Sequence, residues 1–151
     1  MKDKSAENRN YSLKKSIAVI AFIYIIALLP SCRKASTETL NEMVPDGGMV
    51  KYSGTFSGTD NQQVTGEAKI YFINNKYQLK LENFQTDNGP DLKVYLSKRD
   101  RPNEFISLGD IKSTNGNQVY EITVTPDFTM HKYVLIHCER FNHLFGRAEL
   151  K

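Results

Sequence analysis

The chain has 151 residues with 20 Lys/Arg, 17 Asp/Glu and two Cys, a length that suits one domain. Its formal net charge of +3 is that of its first 31 residues alone: five of the basic and two of the acidic residues fall there, leaving fifteen of each in the rest. A neutral remainder has no electrostatic footprint for nucleic acid, which is excluded as a partner.

Lys2, Lys4, Arg9, Lys14 and Lys15 lead into an uncharged apolar run at 17–29. A membrane-spanning helix needs about 20 such residues, so this shorter run reads as the apolar core of a secretory signal peptide over 1–31. Leu29-Pro30-Ser31-Cys32 resembles the bacterial lipoprotein signal. That resemblance implies cleavage before Cys32, lipid on Cys32, and an extracytoplasmic place in the cell envelope with the membrane as a partner. An uncleaved anchor and ordinary secretion are the alternatives. Residue 33 is Arg, not the Asp that resembles an inner-membrane retention signal, which favours the outer membrane.

Residues 33–49 are polar, contain Pro45 and Gly47-Gly48, and show no period. With Cys32 they read as a flexible tether, 32–49. The domain proper is 50–151, long enough for one core without a disulfide.

Within it, short alternating runs are punctuated by turn residues. Residues 51–58 make a glycine-weakened first strand. In 64–73, Val64, Ala68, Ile70 and Phe72 share a face, and Asn74-Asn75 makes a two-residue hairpin turn because Asn tolerates positive φ. The return strand, 76–84, turns Tyr77, Leu79 and Leu81 inward. Asn88-Gly89-Pro90 forces a tight turn, after which 91–97 places Leu92, Val94 and Leu96 inward. A polar loop at 98–104, a strand at 105–108 and a loop at 109–116 follow. Residues 119–124 turn Tyr120, Ile122 and Val124 inward, and Pro126 ends them. The run 133–146 opens as a strand apolar on both faces, and 147–150 closes the chain. The pattern predicts an all-β fold: an antiparallel β-sandwich or barrel of about seven or eight short strands.

Leu81-Glu82-Asn83-Phe84, Asn88-Gly89-Pro90-Asp91-Leu92, Val94-Tyr95-Leu96-Ser97, His137-Cys138-Glu139-Arg140-Phe141 and Phe145-Gly146 occur in an order that resembles the DM13 family. The likeness runs from about Gly54 to Leu150. It implies an electron-transfer or redox domain, of a kind found alone in bacterial lipoproteins and beside cytochrome-type domains in animals, whose shared cysteine matches Cys138. The motif residues Asn83, Phe84, Asn88, Gly89, Pro90, Asp91, Phe141, Phe145 and Gly146 then set the geometry around it.

Read from the residues, Cys138 has no partner in its own chain if Cys32 carries lipid, so it is a reactive thiol, one half of an intermolecular disulfide, or a buried small hydrophobe. Period two puts it on the face of Val134 and Ile136, with His137 opposite. If the strand runs on to Arg140, the guanidinium shares that face and stabilises a thiolate. A metal shared by His137 and Cys138 is disfavoured, since neighbours on a strand point apart. Asp87, Asn88 and Asp91 read as turn formers rather than calcium ligands. No C-x-x-C-H run attaches haem, so no metal or cofactor is expected. Phe84, Tyr95, Phe141 and Phe145 read as core. No nucleophile–base order or phosphate loop marks a stand-alone enzyme. The leading reading is a lipid-anchored redox module centred on Cys138 with a redox protein as partner. The alternative is a non-catalytic binding or adaptor domain for a protein or glycan, with Cys138 inert.

Overall fold

The computed structural model describes residues 35–59 and 61–151; the expected signal peptide, Cys32 and Asp60 lie outside them. Nine strands form one sheet: β1 (Ser36–Asn41), β2 (Met49–Gly58), β3 (Val64–Ile73), β4 (Lys76–Thr86), β5 (Leu92–Ser97), β6 (Phe105–Asp110), β7 (Ser113–Ile122), β8 (Tyr133–Cys138) and β9 (His143–Glu149). Their order is β1-β7-β4-β3-β2-β9-β8-β5-β6, curled into a half-barrel. Every neighbouring pair is antiparallel except β1–β7. The fold is therefore all-β, as the alternation predicts, and among the described residues there is no helix.

The β3–β4 hairpin turns on Asn74 and Asn75, both at positive φ (49° and 61°), with Ile73 facing Lys76. This is the two-residue turn whose twist matches its strands. Inside the curl, Ala68, Ile70, Leu79, Leu81, Phe84, Val94, Leu96, Val134 and Ile136 are wholly buried. β5 and β8 also bury their second face, through Tyr95, Ser97, Leu135 and His137.

Two stretches differ from expectation. The tether contributes β1, held parallel to β7 by polar side chains rather than an apolar face. Asn115 Nδ2 donates to Thr39 Oγ1 (3.0 Å), Asn117 Nδ2 to Asn41 Oδ1 (3.0 Å), and the Ser113 hydroxyl to carbonyls of Ser36 and Glu38. Glu42 then accepts from Lys112 Nζ and from the Val119 amide, 2.7 Å each. The second is 109–116, expected as a loop, where β7 begins at Ser113. Buried Gln118 makes the bend before it: its Oε1 accepts from the amides of Lys112 (3.0 Å) and Ser113 (3.2 Å), and its Nε2 donates to the Ser113 carbonyl (2.7 Å). Val124, expected inward, lies past the end of β7 and is exposed.

Candidate functional site

Cys138 is the last residue of β8, with Leu92 of β5 on one side and His143 of β9 on the other. Period two from Val134 and Ile136 carries its side chain into the core cluster, where it is 0% exposed. It is the only free cysteine among the described residues.

Two turns cap this end of the barrel. In the first, Gly89 lies so close to Leu92 and Phe145 that a Cβ there would meet them at 2.7 Å and 3.1 Å. Glycine is required here for close approach, not for its dihedral freedom. Asp91 is tied down by Lys93 (3.0 Å), which also pairs with Asp110; Asp110, and then Asp91, push the Lys93 ammonium up to about 12 against the opposing effect of burial. In the second turn, 139–142, the Glu139 amide donates to the Asp91 carbonyl (3.0 Å), and the Asn142 amide to the Glu139 carbonyl (3.2 Å). Asn142 takes φ 47°, a conformation Asn tolerates. The two turns are thus hydrogen-bonded to each other, next to the thiol.

On the opposite face, the Tyr95 hydroxyl donates to the Glu139 carboxylate. Burial, and then that carboxylate, raise the phenol well above its usual range. Tyr95 stacks on Phe105 with centroids 4.1 Å apart and stands 5.7 Å from the His137 ring. His137 is 5% exposed and its Nδ1 has no hydrogen-bond partner. Burial lowers its pKa against the support of an Asn142 side-chain hydrogen bond. Tyr95, His137 and Glu139 all lie in the quoted motifs and Tyr95 reads as core, but nothing in the sequence pairs the three with one another, because strand pairing and a turn bring them together.

His137 gives a pH dependence. Its folded pKa lies below the unfolded value of about 6.5, so the unfolded chain binds the proton first. Its stabilising share is complete above that value and is lost as pH falls toward the folded pKa. The unfolding free energy should therefore decline from pH 7 to pH 5. In an NMR titration the His137 ring should remain neutral below the unperturbed histidine value of about 6.5; a midpoint at or above that value would contradict this.

The motif residues divide into buried and exposed sets. Phe84, Tyr95 and Phe145 are buried as expected. Phe141, expected in the core, is 70% exposed, because the chain leaves β8 at Cys138 and turns before reaching it. The strand does not continue to Arg140, which is exposed in the same turn, so the shared face that period two required of it does not form. Asp87 Oδ2 accepts from the Gln63 amide (2.8 Å), and Asp91 serves Lys93, so both carboxylates brace turns. Among the described residues no three His, Cys, Asp or Glu converge as a metal site.

The family described as "Electron transfer DM13" matches residues 55–150. No curated protein and no solved structure matches the chain.

Proposed function

Since the chain belongs to the DM13 electron-transfer family, we propose that it is a redox module of the cell envelope, held by lipid on Cys32, with Cys138 as the exchanging group. The observation that carries this is positional: the matched region spans almost the whole barrel, and its one thiol stands where two hydrogen-bonded turns meet. A single thiol exchanges with a partner protein's disulfide. The Cys138 sulfur bonds to one partner sulfur, the partner's S–S bond breaks, and the second sulfur leaves as a thiolate that takes up the proton. Because the thiol is sealed, exchange requires the 87–91 and 139–142 turns to part. Arg140, carried on the second turn, then stabilises the exposed thiolate.

Complete burial in apolar surroundings favours a second reading, in which Cys138 is an inert packing residue and the domain binds a protein or glycan through its exposed turns. Labelling of Cys138 by a small thiol reagent separates the two, in a soluble form starting at residue 33. In the redox reading, labelling in native buffer proceeds by local opening and its rate is flat at low urea. The Gly89→Ala variant, whose new methyl group presses on Leu92 and Phe145, labels about tenfold faster, the equivalent of some 1.4 kcal/mol of crowding in that turn. Labelling that follows the urea slope of global unfolding, in both proteins, sinks the redox reading and leaves the inert one.

A further inference from the structure

We propose that the Cys138 end of the barrel faces the lipid bilayer, with Phe141 and Arg140 seated at the membrane surface, so that whatever exchanges electrons with Cys138 is itself membrane-borne. This rests on the reading that Cys32 carries the lipid. The stretch expected as a tether is docked from Ala35 onward: Ala35 packs against the core, and Ser36 opens β1. Three residue steps separate Cys32 from Ala35, and covalent geometry caps their reach at about 11 Å.

Where β1 begins decides which end that is. The Ser36 amide donates to the Lys112 carbonyl (3.3 Å), and Ser36 lies opposite Ser113. One residue before Lys112, the Ile111 amide donates to the Leu92 carbonyl (2.8 Å), and Leu92 lies opposite Cys138. Asp91, next to Leu92, accepts from Glu139. This run of main-chain contacts puts the start of β1, the 111–112 bend, Cys138 and the 139–142 turn at one end of the barrel. The other end, with Asn74-Asn75 and Val124, is a ten-residue strand away, roughly 33 Å. A lipid within 11 Å of Ala35 draws the near end to the bilayer.

That end carries the side chains such a position uses. Phe141 is exposed at the tip of the turn and Arg140 beside it is exposed as well. An aromatic ring leaves water at the headgroup boundary, and a guanidinium is attracted to anionic lipid there. The thiol between the two turns then opens toward the membrane plane, which only a lipid-soluble carrier or a membrane-embedded protein shares.

The chain has no tryptophan, so a single introduced indole reports without background. The natural lipidated chain carrying Phe141→Trp, and a second carrying Val124→Trp, are reconstituted into anionic vesicles whose acyl chains are brominated. Sedimentation with the vesicles reads the anchor and indole quenching reads the orientation. Co-sedimentation with about twofold quenching for Phe141→Trp and little for Val124→Trp is the expected result, given a ring some 5–10 Å into the boundary. Inserting about twelve Gly/Ser residues before Ala35, which adds roughly 20 Å of reach, should relieve much of that quenching. Co-sedimentation with equal quenching, or with quenching of Val124→Trp alone, overturns the orientation and leaves the anchor. Failure to sediment overturns both.

Discussion

Gly54→Ala should lower the unfolding free energy by about 3 kcal/mol, the upper part of the range for forcing a methyl group into filled space. Gly54 sits where β2 changes partners: Thr55 still faces Glu67 of β3, while Phe56 already faces Ala148 of β9. Across this seam the Ser53 amide donates to the Lys151 carbonyl (3.1 Å) and the Lys151 amide returns to Ser53 (2.9 Å). A Cβ on residue 54 would stand 2.2 Å from the Glu149 carbonyl oxygen and 2.7 Å from its carbon. Those are backbone atoms in a paired strand, with no flexible side chain to swing aside, so the strands must separate. Urea denaturation reads the effect, with exposed Ser53→Ala as the control expected within about 0.5 kcal/mol of the parent. A Gly54→Ala midpoint equal to the control's would show that the seam yields freely, and the argument from close approach would fail.

The sequence made the strands legible where apolar residues alternate. Leu79 and Leu81, then Leu92, Val94 and Leu96, are buried on the predicted face, and Cys138 follows Val134 and Ile136 inward as period two requires. It was silent where polar side chains hold a strand: β1 and the start of β7 are secured by Ser113, Asn115, Asn117 and Gln118, residue types that read equally well as loop. The site was half legible for a related reason. Period two places a side chain only while the strand lasts, and β8 stops at Cys138, so the placement of Arg140 and Phe141 depended on a turn whose start no residue announces. The outer group of Tyr95, Glu139 and His137 had no signature because it is assembled from three positions by pairing across strands.

Phe84→Ala should be the more damaging change, about 4 kcal/mol. The ring is wholly buried and meets Phe56 edge-on at 5.5 Å. Simple alternation from Leu79 and Leu81 would turn Asn83 inward and Phe84 out. A bulge prevents that: the β3–β4 register shifts between Thr65 and Glu67, Gly66 takes φ 102°, and opposite it Asn83 takes φ 48° with its amide donating to Asn117 Oδ1 (2.8 Å). One added residue resets the phase, so Phe84 and Thr86 are buried in place of Asn83 and Gln85. Asn83 is thus the residue that aims Phe84, and Asn83→Ala should cost about 1 kcal/mol for the left-handed backbone, with Asn83→Gly near neutral. The same pair bears on Cys138. Phe84 anchors the core but belongs to neither capping turn, so Phe84→Ala should lower the urea midpoint without changing the native-buffer labelling rate of Cys138. A labelling rate that rises in step with the lost stability would mean that the thiol appears only when the whole barrel unfolds, and no local gate would then remain for a redox partner to use.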